Sequence, residues 1–262
     1  MHYSTKHKRV KKIILQLITC LILVISCKQT GEKKLIIAAS ANMQFAIQEI
    51  SKAYTKQTGI DCELIIGSSG KLTAQIKEGA PFDVFVSADM KYPEELFTSG
   101  FTTNEPKIYA YGKLVLWTMI DSIKPSLYML KNTDIKHIAI ANPKTAPYGI
   151  ATVELLKNKG IYNAISSKLV FGENISQTNQ FIVSKSAEIG FTAKSVVVSP
   201  KMKNKGNWID LDKNEHSQIA QGIVVLNNRP MQKNNAEMFY NFIQSAIAKK
   251  ILADYGYAVK SK

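Results

Sequence analysis

The chain has 262 residues, of which 45% are hydrophobic and 21% are charged, and its formal net charge at pH 7 is +14. This length and composition predict a folded protein with a sizeable core and exclude a low-complexity chain. The four histidines, His2, His7, His137 and His216, are scattered, and none lies at metal-ligand spacing from another ligand. We therefore assign no metal cation site.

The N-terminal segment has the pattern of an export signal. Residues 6–12 contain five basic residues and no acidic residue, and residues 13–26 are almost wholly apolar. Such an apolar stretch is too short for a comfortable membrane span but is typical of a secretory signal. It ends in Val24-Ile25-Ser26-Cys27, which resembles the lipobox of bacterial lipoproteins. The resemblance implies a lipid-modified Cys27 and a location on the periplasmic or cell-surface side of a membrane.

Cleavage before Cys27 would change both the charge and the cysteine content of the chain. Five positive charges would be lost, so the net charge would fall from +14 to +9. Cys20 would be removed and Cys27 would carry the lipid, which leaves Cys62 alone and excludes an internal disulfide. We interpret residues 1–26 as the signal peptide and residues 27–34 as a polar tether.

After the tether, short apolar runs alternate with segments of helical periodicity. Predicted strands cover 35–39, 60–66 and 82–88, and predicted helices cover 43–57, 71–77 and 93–99. This order predicts an α/β sheet with parallel strands, in which the loops at the carboxyl ends of the strands form the binding edge.

The turn Gly67-Ser68-Ser69-Gly70-Lys71 leaves one predicted strand and enters a predicted helix. Glycine lets the backbone come close to a ligand, serine supplies a cap and a hydroxyl, and the first-turn N–H groups point outward. Such a place binds an anion. The alternative is a simple capped loop, but a second segment of the same build, at residues 38–42, follows the preceding strand and favours binding.

The rest of the chain predicts a second lobe of the same plan and a return to the first. We expect residues 109–119 to cross between lobes, residues 201–207 to form a solvated lysine-rich loop, and residues 218–226 to carry the chain back. The other predicted elements are strands at 137–141, 169–172 and 188–192 and helices at 150–159 and 176–184. A final helix is predicted over 236–255, with an apolar face of Met238, Phe239, Phe242, Ile243, Ile247 and Ile251.

Several of these segments together resemble the periplasmic molybdate-binding proteins of ABC importers. They are Ala38-Ala39-Ser40, Gly67 to Leu72, Gln75-Ile76, Gly79 to Asp89, Asn142-Pro143, Pro147-Tyr148-Gly149 and Tyr255-Gly256-Tyr257. The resemblance implies an α/β, two-lobe periplasmic-binding-protein fold of type II, in which each lobe is a mixed, mostly parallel sheet flanked by helices. We place lobe I at 33–110 and 223–262 and lobe II at 111–222, with one tetrahedral oxyanion in the cleft.

By matching motifs, the resemblance also implies four oxyanion ligands. Ser40 and Ser69 would give hydroxyl and backbone N–H donors from lobe I. Tyr148 and Ile175 would give backbone N–H donors from lobe II.

The chain departs from the family pattern at Ala193, where many members have a tyrosine ligand. We expect the Tyr148 hydroxyl to replace the missing donor. Asn42 and Lys194 are alternative donors, although both positions are also consistent with side chains that face solvent.

The implied function is high-affinity capture of molybdate or tungstate outside the cytoplasmic membrane and delivery to an ABC import permease. The resemblance implies a monomer that is not an enzyme, with no cofactor and no nucleic-acid partner. Neutral donors suit a fully deprotonated dianion, because a protonated anion brings an O–H that needs an acceptor. We expect Asp83 and Asp89 to cap helices or join lobes, since a carboxylate repels a dianion.

Two other functions remain open at this point. The chain could carry another anion, such as sulfate, phosphate or a small organic acid. It could also be a serine hydrolase with Ser40 or Ser69 as nucleophile, but the turn at residues 67–70 does not fit G-x-S-x-G, and no histidine lies near either serine in the sequence. The phosphate-loop signature is also absent from this turn.

Overall fold

The computed structural model describes residues 34–259, which form two α/β lobes on two five-stranded sheets. The predicted signal peptide, the predicted lipidation site Cys27 and the tether up to residue 33 lie outside the described residues. The predicted two-lobe α/β architecture is confirmed. In the described part of the chain, every helix is too short or too polar to cross a membrane.

Lobe I is a mixed sheet with helices on both faces. Its strands are β1 (Leu35–Ser40), β2 (Cys62–Gly67), β3 (Val84–Val86), β4 (Lys107–Tyr111) and β10 (Ala220–Val225). Its α-helices are α1 (Gln44–Thr58), α2 (Ser69–Lys77), α3 (Lys91–Thr98), α8 (Lys233–Phe242) and α9 (Ala246–Asp254). The strand order is β2-β1-β3-β10-β4, with β1 parallel to β2 and β3, and β10 antiparallel to β3 and β4.

Lobe II repeats this plan. Its strands are β5 (Leu114–Thr118), β6 (Ile138–Ala141), β7 (Leu169–Gly172), β8 (Ile189–Ala193) and β9 (Asn207–Asp210). Its α-helices are α4 (Pro147–Asn158), α5 (Tyr162–Ile165), α6 (Ile175–Val183) and α7 (Lys194–Val197). The strand order is β7-β6-β8-β5-β9, with β6 parallel to β7 and β8, and β5 antiparallel to β8 and β9.

The central strands of lobe I are buried on both faces, as the continuous apolar runs predict. Along β1, Leu35, Ile37 and Ala39 pack with α1, α8 and α9, whereas Ala38 packs with α2 and α3. Strands β3 and β10 alternate in the same way, because successive side chains of a strand point to opposite faces. The carboxyl ends of the parallel strands are thereby held at a fixed edge.

Two segments connect the lobes. The first crossing, predicted within residues 109–119, is confirmed: β4 ends at Tyr111 and β5 begins at Leu114, and the N–H of Gly112 between them donates to the Ile219 carbonyl at 2.9 Å. The return crossing lies before Ala220, because β10 pairs with lobe I from its first residue. The predicted boundary between 222 and 223 is therefore a few residues too late. Ala258 exchanges two backbone hydrogen bonds with Tyr111 beside these crossings.

The helix predicted over 236–255 is instead the pair α8 and α9, so this prediction is wrong. Ser245 interrupts it, because its Oγ accepts a hydrogen bond from the Ala248 N–H at 3.2 Å and caps α9. The break shifts the phase of the apolar face. As a result Ala248 and Leu252 are buried after the break, whereas Ile247, predicted on the apolar face, is 50% exposed. Met238, which precedes the break and is also predicted on that face, is 47% exposed.

Strand β9 lies outside the predicted elements. It follows the lysine-rich segment 201–206 and pairs antiparallel with β5, so that Trp208 lies opposite Trp117. The lysines of that segment are exposed, as predicted.

A buried ion pair holds the start of β3 against β1. Asp83 accepts hydrogen bonds from the Ile36 N–H at 2.6 Å and from Arg229 Nη1 at 2.5 Å, and its side chain is 1% exposed. Burial raises the pKa of this carboxyl, while the two donors act in the opposite direction. Both partners belong to lobe I, so Asp83 does not have the predicted cap or interlobe role.

Replacing Arg229 tests this anchor. Arg229→Met would leave a buried carboxylate without its cation, so we expect the free energy of unfolding to fall by about 3 kcal/mol in urea denaturation. The control is Lys250→Met, which breaks an exposed ion pair with Asp254 and should cost less than about 1 kcal/mol. Equal effects of the two substitutions would contradict the anchoring role.

Candidate anion-binding site

Three strands of lobe I end at one edge of the sheet. β1 ends at Ser40, which lies opposite Gly67 at the end of β2. β3 ends at Val86, and the chain continues through Ser87 to Ala88 past the same edge. This is the edge that the parallel order of these strands predicts for binding.

The side chains of Ser40 and Ser69 meet at this edge. Both residues are buried, and their Oγ atoms are 2.5 Å apart, so one hydroxyl donates to the other. The backbone N–H of Ala88 donates to both Oγ atoms at 3.0 Å. The two predicted serines are thus brought together, and each has one oxygen lone pair turned toward Ala88.

Lobe II presents two helix starts to the serines. Tyr148 is the second residue of α4, after Pro147, and Ile175 is the first residue of α6. The first N–H groups of a helix have no acceptor within the helix. Asn174 caps α6 by accepting from the Gln177 N–H at 3.1 Å, which leaves the N–H of Ile175 to another acceptor.

These groups enclose a cavity of about 10 Å³ between the lobes. Its described lining residues, which include Ser40, Ser69, Tyr148 and Ile175, are all uncharged. Helices α2, α4 and α6 begin here, and none of the three has an acidic residue in its first turn. Since each helix start acts as about half a positive charge, the potential in the cavity is positive without a cationic side chain.

The Tyr148 hydroxyl points to the crossing segments, where it accepts from Gln221 Nε2 at 3.3 Å. It lies beside Gly112, where an added Cβ would come within 2.2 Å of the hydroxyl oxygen, so the absence of a side chain makes room for the phenol. Burial raises the pKa of Tyr148 well above its usual value, which keeps the hydroxyl protonated. This position argues against the expectation that the hydroxyl replaces the donor missing at Ala193, which stays a prediction.

Asn42 and Lys194, the alternative donors, also have other partners. Asn42 is buried, and its Nδ2 donates to Gln221 Oε1 and to the Tyr257 hydroxyl, both at 3.0 Å, which uses both amide hydrogens. Lys194 Nζ lies 2.6 Å from Asp210 Oδ2. Neither side chain simply faces solvent, and neither donates into the cavity.

Asn42, Tyr148, Gln221 and Tyr257 form a hydrogen-bond network beside the crossing segments, which we call the hinge network, and the Asn42 backbone is part of it. Its carbonyl accepts from the Ser195 hydroxyl of lobe II at 2.7 Å and from the Tyr257 hydroxyl at 2.9 Å. Asn42, in the turn after β1, is therefore held both by lobe II and by the segment at residue 257.

Asp89 caps a helix, as predicted. Its Oδ1 accepts from the Ser87 hydroxyl at 3.0 Å and, more weakly, from the Tyr92 N–H at 3.4 Å in the first turn of α3. Burial raises the pKa of its carboxyl. The carboxylate is thus engaged by Ser87 and Tyr92, and Asp89 is not among the residues that line the cavity.

Ser68 borders the cavity but is not among the predicted ligands. It precedes α2, is 3% exposed, and its Oγ has no hydrogen-bond partner in the described part of the chain. The sequence signal for it was the doubled serine of the turn, in which only the second serine matched the family pattern.

Polar contacts join the rims of the lobes around the cavity. They are Gly70 N–H to the Thr145 carbonyl at 2.9 Å, Ser176 Oγ to Gln44 Oε1 at 2.7 Å, and the exposed ion pair Lys71–Glu173 at 2.6 Å. These contacts hold the two halves of the site together.

A larger groove of about 820 Å³ lies beside the crossing segments. Its lining includes both acidic and basic side chains, namely Asp210, Asp212, Lys113 and Lys213. Because these charges oppose one another, the groove lacks the uniform positive potential of the smaller cavity.

Comparison with known proteins gives a family match. Residues 35–258 match the family model described as bacterial extracellular solute-binding protein. The molybdate-binding protein of Rhodobacter capsulatus is 33% identical over 228 residues, covering 87% of this chain and 89% of the relative. That of Azotobacter vinelandii is 35% identical over 230 residues, covering 86% and 89%.

Solved structures agree with the sequence relatives. The Azotobacter vinelandii periplasmic molybdate-binding protein superposes with a TM-score of 0.83 at 31% identity, covering 87% of this chain and all of that one. The sulfate-binding protein of Mycobacterium tuberculosis, at 13% identity and a TM-score of 0.73 over 86% of each chain, shares the fold alone.

Tyr148→Phe tests the placement of the hydroxyl. It keeps the ring and the backbone N–H but leaves Gln221 Nε2 without this acceptor, so we expect the free energy of unfolding to fall by about 1–3 kcal/mol. Affinity for a tetrahedral oxyanion, measured by calorimetry, should change by less than about threefold. Tyr128→Phe, at an exposed tyrosine, is the control. A tenfold loss of affinity in Tyr148→Phe would place the hydroxyl on the anion instead.

Proposed function

The chain belongs to the bacterial extracellular solute-binding proteins and, within them, to the molybdate-binding family, and we propose from this membership that it binds molybdate or tungstate outside the cytoplasmic membrane and delivers it to an ABC import permease. The observation that carries this proposal is the convergence of Ser40, Ser69 and the starts of α2, α4 and α6 on one uncharged cavity. Relatives named as molybdate-binding proteins support the choice of ligand.

The proposed ligands are the hydroxyls of Ser40 and Ser69 and the backbone N–H groups of Tyr148 and Ile175. The two serine hydroxyls are hydrogen-bonded to each other. In the proposed complex, each of them would instead donate a hydrogen bond to the oxyanion. Because Ala88 occupies a lone pair on each serine oxygen, the hydroxyl protons are directed toward other acceptors. A dianion would therefore meet oriented neutral dipoles and would displace no counter-charge.

Donors of this kind also discriminate by protonation. Molybdate, tungstate and sulfate are fully deprotonated at neutral pH, whereas phosphate retains a proton that needs an acceptor. An O–H left unpaired in the cavity would cost about 1–3 kcal/mol. Selection between molybdate and the smaller sulfate then depends on the volume of the cavity that remains when the lobes close around the ligand.

The alternative anion carriers are supported less well. The sulfate-binding relative shares only the fold at 13% identity, while the molybdate-binding relatives are 33% and 35% identical. The hydrolase alternative lacks a base next to the serines: of the histidines within residues 34–259, His137 lies 3.6 Å from Glu188 and His216 Nδ1 lies 2.8 Å from the Ser217 carbonyl.

The lipid anchor is part of the proposal. It rests on the basic and apolar segments and on the Val24-Ile25-Ser26-Cys27 pattern, all outside the described residues. Described structure begins at residue 34, directly before β1. A lipid on Cys27 would tether lobe I through the short intervening segment and keep the carrier near its permease.

The decisive experiment is a calorimetric titration of the mature protein with molybdate, tungstate, sulfate and phosphate. We expect tight binding of the first two anions. Ser40→Ala and Ser69→Ala should each weaken molybdate binding by about 1.5–3 kcal/mol, or roughly tenfold to a hundredfold, through loss of a hydrogen bond to a charged ligand.

Ser199→Ala is the matched control, because Ser199 is also buried but its hydroxyl donates to the Val196 carbonyl in lobe II. Its affinity should equal that of the wild type. Tighter binding of sulfate or phosphate than of molybdate would make the chain a carrier for another anion, and turnover of an ester substrate would support the hydrolase.

Fractionation of cells tests the anchor separately. Wild-type protein should partition with membranes, and Cys27→Ser should be soluble or unprocessed because it lacks the thiol that accepts the lipid. Mass spectrometry of the N-terminus checks the modification. Wild-type protein recovered in the soluble fraction with an unmodified Cys27 would refute lipid anchoring and leave the binding proposal intact.

A further inference from the structure

We propose that the hydroxyl of Ser68 is a further donor to the bound oxyanion, and that it supplies the contact for which neither Ala193 nor the Tyr148 hydroxyl is available. The inference rests on the proposed oxyanion-binding function. It is carried by the burial, missing partner and position of one hydroxyl group.

Ser68 occupies the N-cap position of α2 but does not cap the helix. Its backbone is extended, with φ −76° and ψ 149°, as the position requires, yet its side chain accepts no hydrogen bond from the first turn. A serine at this position normally accepts from the second or third helical N–H. Elsewhere in the chain Ser245 and Asn174 do so for α9 and α6. The Ser68 hydroxyl is therefore oriented for something other than capping.

The burial of this hydroxyl makes its missing partner costly. Ser68 is 3% exposed, and its Oγ has neither solvent contact nor a hydrogen-bond partner within the described residues. Buried polar groups in folded proteins nearly always have partners, so such an exception calls for a ligand or another specific reason. The same residue lines the cavity in which Ser40 and Ser69 meet.

The neighbouring serines explain why Ser68 adds something to the site. Ser40 and Ser69 are bonded to each other and to the Ala88 N–H, so their oxygens are oriented before an anion arrives. Ser68 has no such contact, and its hydroxyl can rotate toward the oxygen of a tetrahedral anion that those two do not reach. This donor belongs to lobe I, on the same turn as Ser69, so it needs no side chain at position 193.

The inference predicts opposite effects on stability and on binding. Ser68→Ala removes a buried hydroxyl without a partner, so the melting temperature of the protein without anion should stay the same or rise. The same variant should bind tungstate and molybdate about tenfold to a hundredfold more weakly in calorimetric titration. Loss of a purely structural hydroxyl would not combine an unchanged or higher melting temperature with weaker anion binding.

Ser51→Ala is the matched control. Ser51 lies on α1 and is, like Ser68, a buried serine at 7% exposure, but it does not line the cavity. It should therefore leave the affinity unchanged. Ser68→Gly, which keeps a residue suited to the N-cap position, should reproduce the loss of affinity seen with Ser68→Ala.

The outcomes separate this inference from the proposed function. If the wild type binds molybdate tightly and Ser68→Ala binds equally well, the role of Ser68 is refuted and the function stands. If Ser68→Ala lowers stability as well as affinity, the hydroxyl is structural and the inference is wrong. If the wild type binds no tetrahedral oxyanion, both proposals fail.

Discussion

The site depends on one backbone N–H. Ala88 donates to the side chains of Ser40, at the end of β1, and Ser69, at the start of α2. It thereby joins three segments that are distant in sequence. That geometry requires β1, β2 and β3 to keep their parallel register, which the two-faced burial of β1 and the ion pair at Asp83 provide. Packing in lobe I thereby fixes the orientation of the Ser40 and Ser69 hydroxyl groups.

The positive charge of the chain and the positive potential of the cavity have different origins. Residues 111–219 contain 14 lysines and 8 acidic residues, whereas residues 34–110 and 220–259 contain 11 of each sign. The excess is thus a property of the lobe II surface, where salt screens it over about 8–10 Å. Within the cavity the potential comes from helix starts and oriented hydroxyls, which are screened far less.

Local patterns predicted the fold and the two serines that meet at the sheet edge, whereas tertiary contacts decided where the other side chains point. Ser40 and Ser69 follow apolar strands and precede helices, a signal contained within a few residues, and the structure brings them together. The direction of the Tyr148 side chain depends on the space left by Gly112 and on Gln221, which lies on the returning strand, and neither can be read from the Pro147-Tyr148 motif. The interruption at Ser245 was hidden because the apolar residues of both helices, read along the sequence, fit one helical face, although the break turns Ala248 and Leu252 rather than Ile247 to the core. For Ser68, the usual rule for a serine before a helix predicted a cap, and the structure shows none.

The hinge network includes residues near the end of the described chain, so it can form only after nearly all of that chain has been synthesised. The Tyr257 hydroxyl bonds to the Asn42 carbonyl across 215 positions of sequence, and Ala258 pairs with Tyr111 beside the first crossing. Contacts of such long range form late, because the intervening chain must first be made and ordered. During synthesis from the N-terminus, all five strands of lobe I and all of lobe II emerge before residue 257, whose hydroxyl then bonds to the turn after β1. Until then, the turn after β1 lacks the two hydrogen bonds that Tyr257 makes with Asn42.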